Sequence, residues 1–313
     1  MEERRPGLPV PDALYKYATV DTAQAILSTG TLRWSSPELF DEPWAIKQNA
    51  ALGFDHTSVN HEMLKTAVAM IFMRDMPSGN PEHPLYKAIR RWRSEDRFHD
   101  EAEAHAALRE LLAPTPETLE SKLKKLTCKW HELVEHARVV CFSETVKDIQ
   151  SWERFANNHA GVALRFESAD MPHAPMPVEY SNQRCQLTSL KEQVHDLVGI
   201  EKAPGEEAFI NKLLTKPRFY ANEKEWRSIR VMAEEDLDCG EDVVDWFLDE
   251  PFTHSDLRAI YLGFRIDEAD RGCLIDLIRT AYPSTTIYQG CAAADSYELE
   301  FTRVADEGTA EAS

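Results

Sequence analysis

The sequence predicts an α+β fold: a mixed, mainly antiparallel sheet core that carries a helical insertion. Short runs with strand-like alternation recur near both ends of the chain, often next to one another. Between about residues 58 and 137 three helical patterns lie together, and strand signals resume on either side of them. The order of strands and helices is irregular and lacks a repeating strand–helix–strand series.

The elements follow in order. LYKYATV, from Leu14, reads as a strand, and Asp21 or Thr22 is placed to cap the short helix AQAILSTG. Ile26 and Leu27 face inward there, and Gly30 ends the helix. TLRWSS is a second strand that closes in the turn Ser36-Pro37. HEMLKTAVAMIFMRDM, the long run HPLYKAIRRWRSEDRFHDEAEAHAALRELLA, and TPETLESKLKKLTCKWHELVEHA are the three helical patterns. A strand from Val139 to Ser143 follows, then a helix from Trp152 to Asn158, broken by Asn157, Asn158, His159 and Gly161. Val162, Leu164 and Phe166 alternate with Ala163 and Arg165 as a half-buried strand. PMPVEYS is a short strand, and Ser189 to about Leu214 is helical with a break at Ala203-Pro204-Gly205. Trp226 to Met232 and DLRAIYLGFRI are strands, Asp267 to Tyr282 is a helix, and TTIYQGCAA and SYELEFTRV close the sheet. The expected organisation is one α+β domain over residues 1–305 with the insertion at about 58–137, and an acidic, disordered tail over 306–313.

At 313 residues and 35.7 kDa the chain is long enough to bury a full core. A formal charge of −19 argues against coating nucleic acid or anionic membrane non-specifically, although a local basic cleft remains compatible with it. Six cysteines are scattered without a C-x-x-C pair, which predicts reduced thiols in a cytoplasmic protein. The charged, proline-rich start lacks an apolar core of a signal peptide, and no apolar run approaches the ~20 residues of a membrane span.

Several common chemistries lack their signatures. There is no G-x-G-x-x-G, no P-loop and no G-x-S-x-G elbow. His131 and His136, like His56 and His61, are five residues apart, which splits each pair between helix faces and argues against metal ligation. The expected metal content is none. What remains is a set of polar and aromatic residues at strand ends, where binding groups gather on a rigid scaffold.

A string of segments, in order and covering nearly the whole chain, resembles the bacterial domain-of-unknown-function family 2971. They are LYKY at Leu14–Tyr17, SSPELFDEP at Ser35–Pro43, VVCFSE at Val139–Glu144, SWERFANNHAGVALRF at Ser151–Phe166, EKEWR at Glu223–Arg227 and IYLGFRI at Ile260–Ile266. The chain departs from that pattern at Phe40 to Ala45. Asp41, Glu42, Pro43, Trp44 and Ala45 stand where the family shows asparagine, aspartate, proline, an aromatic and glutamate. The layout is also similar to that of ADP-ribosyltransferase-like proteins. That likeness implies an NAD-consuming transferase, a toxin or anti-phage defence effector acting on nucleic acid or protein, with NAD as its substrate.

The chemistry of that reaction selects the candidates. Breaking the nicotinamide–ribose bond passes through an oxocarbenium-like state that a carboxylate stabilises, a role for Glu225 or Glu223. Tyr15, Tyr17 or Trp152 offers an aromatic face for the nicotinamide ring. Lys16, Ser35, Ser36, Ser143 and Arg227 offer donors for the pyrophosphate, and His159 a ribose hydrogen bond or a base. The catalytic set is thus Glu225, His159 and Tyr17, and the nucleotide-binding set Tyr15, Lys16, Ser35, Ser36, Ser143, Trp152 and Arg227. The plain alternative makes Trp152 a core residue, His159 a helix cap and Glu223–Arg227 a surface ion-pair ladder. Two further readings are a non-catalytic nucleotide-binding or protein-interaction module, and a metal-dependent nuclease using Asp41, Glu42, Glu144 and Glu225.

Overall fold

In the computed structural model the described residues are 10–40, 52–111, 116–168, 173–205, 208–233 and 246–305. They form an α+β fold with a mixed, mainly antiparallel sheet. The expected tail over 306–313 and the departure at Asp41–Ala45 lie outside them. The chain divides into two compact units. The first comprises Met1–Asp41, His136–Asn182 and Leu214–Ser313, the second Glu42–Glu135 and Gln183–Leu213.

The first unit is built on a 10-stranded sheet. Its strands are β1 (Ala13–Ala18), β2 (Thr31–Ser35), β3 (Ala137–Ser143), β4 (Val162–Glu167), β5 (Met176–Pro177), β8 (Glu225–Val231), β9 (Phe247–Pro251), β10 (Leu257–Leu262), β11 (Thr286–Ala292) and β12 (Leu299–Arg303). The order is β12-β11-β10-β4-β1-β3-β2-β9, with β8 on the other edge of β3 and β5 beside β8. A separate pair joins β6 (Glu179–Ser181) to β7 (Thr215–Pro217) in parallel. Within the large sheet β10 and β11 are parallel, as the helical crossover between them requires.

Side-chain alternation gives this sheet two chemically different faces. Leu14, Phe142, Leu164, Phe166, Trp226 and Ile260 point to one face. There they meet Ile26 and Leu27 of α1 (Val20–Thr29) and Leu274, Ile275 and Ile278 of α9 (Glu268–Ala281). Each such burial stabilises by about 1.5–3 kcal/mol. The Thr19 hydroxyl, rather than Asp21 or Thr22, caps α1 by accepting from Thr22 N at 3.3 Å. Gly30, at φ 64°, ends it as expected. Tyr282 then ties the two helices together, its hydroxyl donating to Leu27 O at 2.8 Å.

The opposite face carries Tyr17, Ala163 and Leu299 under Trp152 and Ala156, which come from and just beyond α6 (Ile149–Phe155). The helix ends in three successive left-handed residues, Asn157, Asn158 and His159, at φ 46°, 52° and 66°. Two glycines make the tight passage into β4 possible. A Cβ on Gly161 would stand 2.2 Å from Ala18 O, and one on Gly263 would stand 2.0 Å from His159 O.

The second unit is helical: α2 (His56–Phe72), α3 (Pro84–Ser94), α4 (Glu101–Leu111), α5 (Pro116–His136), α7 (Leu190–Val198) and the single turn α8 (Phe209–Lys212). Met63, Ala67, Met70, Ile89, Leu108 and Val198 form its main core. The long run read as one helix is two, broken at residues 95–100, where Asp96 is left-handed at φ 46°. The helical reading of Ser189–Leu214 holds only at its two ends: Ser189 opens α7 with a full capping box, and Gly199 stops it. Residues 183–213 therefore belong with the expected insertion.

Candidate functional site

The site forms where β8 begins. The six-residue 3-10 turn Arg218–Glu223 ends at Lys224, which adopts the left-handed conformation at φ 43°. That single residue reverses the chain between Glu223 and Glu225, and both carboxylates reach one lysine. Lys216 Nζ lies 2.5 Å from Glu223 Oε2 and 2.9 Å from Glu225 Oε2. Arg227 Nε donates to the other Glu225 oxygen at 2.6 Å, and Arg154 pairs with the other Glu223 oxygen.

Neighbouring strands hold these groups in place. Tyr180 on β6 stands opposite Lys216 on β7, and its hydroxyl accepts from Glu225 N at 2.7 Å. Ser143 on β3 faces Glu225 across the ladder; its hydroxyl donates to Glu223 O at 2.7 Å and accepts from Thr145 N at 3.2 Å. Tyr17 donates to Thr145 O at 2.7 Å, which connects β1 to the same corner. Glu223, Glu225, Lys216 and Arg227 are all nearly inaccessible, whereas the Arg154 side chain is 34% exposed. The cluster meets solvent at Arg154, whose guanidinium lies 4.9 Å from the Phe155 ring centre and 4.7 Å from that of Tyr220. Phe219, 62% exposed, stands beside Tyr220 with ring centres 4.3 Å apart.

The two carboxyl groups are driven apart electrostatically. At Glu225 burial acts to raise the pKa, but Arg227 and Lys216 outweigh it and hold the carboxyl below its ordinary 4.5. At Glu223 burial prevails over Lys216 and Arg154, with Glu225 reinforcing it, and the carboxyl is held above that value. Burial also pushes the Cys141 thiol up to about 12, with Glu225 adding to the effect, which keeps it protonated at neutral pH. Lys16 has its pKa lowered by burial and donates to Cys141 O at 3.2 Å.

Of the residues singled out in the sequence, Tyr17, Ser143, Glu225 and Arg227 share this corner, and Lys16 and Tyr15 adjoin it through β3. Trp152 does not serve as a ring clamp. It is 1% exposed, its Nε1 donates to Val146 O at 2.7 Å, and Tyr17 meets it edge-on at 5.3 Å. Tyr17 is closed off by the same contact. His159 lies behind Trp152, stacked on it at 6.0 Å and tilted against Phe264 at 4.7 Å. Its Nδ1 is buried without a partner, and burial, helped by Arg265 against Glu153, lowers its pKa. It is the last of the three left-handed residues that lead from the helix to Gly161, and its ring contacts are Trp152 and Phe264. Ser35 pairs with Val139, four residues from Ser143 along β3, which is about 13 Å at the rise of a strand. Ser36 caps the turn Pro37–Leu39, accepting from Glu38 N at 3.2 Å. Both serines do structural work.

The sequence reading missed Lys216, Arg154, Tyr180 and Tyr220. Lys216 gave little signal: it stands among Lys212, Thr215 and Arg218 in a stretch without periodicity. Of the carboxylates proposed for a nuclease, Asp41 and Glu42 lie outside the described residues, and Glu144 is 3.3 Å from Trp226 Nε1, which donates to it. Among the described residues no three His, Cys, Asp or Glu side chains converge as metal ligands, and no helix is long and apolar enough to cross a membrane. The described cysteines Cys128, Cys141, Cys185, Cys273 and Cys291 are free thiols. Compared with family models, with curated proteins and with solved structures, the chain finds no match in any of the three.

Proposed function

We propose that the chain is an NAD-consuming, ADP-ribosyltransferase-like enzyme whose reacting centre is the Glu223–Lys216–Glu225–Arg227 cluster. The observation that carries the reading is a buried pair of carboxylates two residues apart, bridged by Lys216, tuned in opposite directions and reaching solvent through Arg154. Glu225, ionised throughout the physiological range, is the group to face a ribose carbon as it gains positive charge. Glu223, with its raised pKa, is the better proton acceptor. In the reaction the C1′–N bond breaks and neutral nicotinamide leaves with the bonding pair. An acceptor X–H then forms the X–C1′ bond and passes its proton to Glu223. Arg154 supplies the accessible cation for pyrophosphate, and Tyr220 and Phe219 supply aromatic faces for a ring. The aromatic role expected of Tyr17 and Trp152 moves to these residues.

The test is nicotinamide release from labelled NAD in the presence of cell extract. The native chain is expected to release it, and Glu225→Gln to reduce the rate at least about 100-fold while remaining folded by thermal unfolding. A native protein that neither binds NAD nor releases nicotinamide refutes the reading. The non-catalytic alternative has its own support: in this structure both Glu225 oxygens are already engaged by cations. It requires saturable NAD binding, weakened in Arg154→Ala, with no release.

A further inference from the structure

We propose that the Arg154–Glu223 ion pair is an autoinhibitory latch on the carboxylate cluster. A tetrahedral oxyanion, such as one phosphoryl group of the dinucleotide, opens it by drawing the guanidinium away. The latch presupposes the reading of that cluster as the reacting centre and adds its regulation. As the chain stands, every carboxylate oxygen of the cluster is engaged by a cation. Arg154 holds Glu223 Oε1, Lys216 holds Glu223 Oε2 and Glu225 Oε2, and Arg227 holds Glu225 Oε1. A carboxylate capped on both oxygens is a poor acceptor for the proton of an incoming group, so one contact has to open first.

Exposure singles out the contact that opens. The side chains of Lys216 and Arg227 are 4% and 3% exposed, whereas that of Arg154 is 34% exposed. A cation that water already reaches gains little from its ion pair and yields to a competing anion. An anion cannot reach the two buried cations without opening the fold. Tyr220 eases the exchange: Lys216 Nζ lies 4.7 Å from the same ring that Arg154 meets, so the ring keeps a cation on it when Arg154 leaves.

The surrounding charges favour an anion. Arg218, exposed at the start of the 3-10 turn, has no ion-pair partner among the described residues. The nearby acidic groups have other contacts. Asp148 accepts from Ser151 N and Oγ at 2.9 and 2.6 Å, Glu153 acts on His159, and Glu144 accepts from Trp226 Nε1. A guanidinium also offers the fork of donors that matches two oxygens of a phosphoryl group.

Opening the latch changes the chemistry of Glu223. The groups that face its carboxyl are Arg154 on α6, Lys216 on β7, Glu225 on β8 and Tyr180 on β6, whose phenol burial holds protonated. Burial already holds Glu223 above its ordinary 4.5 against the pull of Lys216 and Arg154. Taking Arg154 away removes an attraction for the charged form, so the pKa rises further and Glu223 becomes the stronger base. No covalent bond changes in this step. The anion gains Arg154, and Glu223 gains a proton, from solvent or, in the reaction, from the acceptor.

The probe is inorganic sulfate, which keeps both charges near neutral pH and carries no nucleotide to be recognised. Sodium sulfate is added to the full chain in weakly buffered solution, with sodium chloride of equal ionic strength as control, and the protons taken up are measured. Uptake of up to about one proton per anion is expected, so sulfate affinity tightens by up to about tenfold for each unit that pH falls through that window. Glu223→Gln is expected to abolish uptake while retaining sulfate binding, and Arg154→Gln to abolish both. No sulfate-dependent uptake in the native chain overturns the proposal, as does uptake that persists in either variant. If Glu223→Gln proves unfolded by thermal melting, Arg154→Gln, at its solvent-facing position, decides. Uptake without nicotinamide release leaves the latch and removes the transferase reading, whereas release without uptake removes the latch alone.

Discussion

The two faces of the sheet are made by the same strands and differ in almost every chemical respect. On one face Leu14, Phe142, Leu164, Phe166 and Trp226 close against helices α1 and α9. On the other, one residue out of step along the same strands, Tyr15, Tyr17, Ser143, Glu225 and Arg227 carry hydroxyls and charges. The aliphatic face gains by excluding water and asks little of direction. The polar face needs directed partners for each group, since an unpartnered buried charge is costly. The cluster of Lys216, Glu223, Glu225 and Arg227 supplies them, yet an apolar filling of equal volume would serve stability as well or better. The cluster opens to solvent at Arg154, which is why the proposed chemistry is placed at that corner.

The contrast can be broken most severely at Glu225. Glu225→Ala leaves Lys216 and Arg227 facing each other in a buried corner, and denaturant titration is expected to show a loss of about 3–5 kcal/mol. Leu164→Ala removes hydrocarbon from the closed face and is expected to cost about 3 kcal/mol in the same measurement. Tyr180→Phe deletes the hydroxyl that accepts from Glu225 N, for an expected loss of about 1 kcal/mol. The smallest effect belongs to pH. The His159 imidazole titrates below its ordinary 6.5 in the folded chain, so as pH falls the unfolded chain binds the proton first. Its contribution to stability is complete above that ordinary value and is lost as pH falls from there toward the folded value. Thermal melting across that window is expected to show a shallower decline in His159→Gln than in the native chain.

Much of the fold was legible because alternation reports directly on a two-faced sheet. Val162, Leu164 and Phe166 against Ala163 and Arg165 identified β4 and its two sides, and Gly30 marked the end of α1. β9 was illegible: Asp249 and Glu250 interrupt its apolar residues, and only the cross-strand pairing of Asp249 with Arg33 and of Glu250 with Leu32 explains them. The break between α3 and α4 was hidden because both helices share one continuous charged pattern. For the site, the pair Glu223 and Glu225 was visible, but the plain structural alternative placed it on the surface. What put it inside was Lys216, which comes from a three-residue strand with no periodicity to read. Trp152 and His159 drew attention as polar aromatics near a helix end; packing, which the sequence does not display, buried and stacked them against each other.

A matched pair of substitutions, one from each face, separates cohesion from chemistry most directly. Nicotinamide release per folded molecule is measured for Leu164→Ala and Glu225→Gln, with the folded fraction taken from melting curves under the same conditions. Leu164→Ala is expected to melt earlier yet keep the native rate per folded molecule, while Glu225→Gln loses the rate far beyond any change in melting. Equal rates per folded molecule in both variants and the native chain would contradict the assignment of chemistry to the Glu225 face.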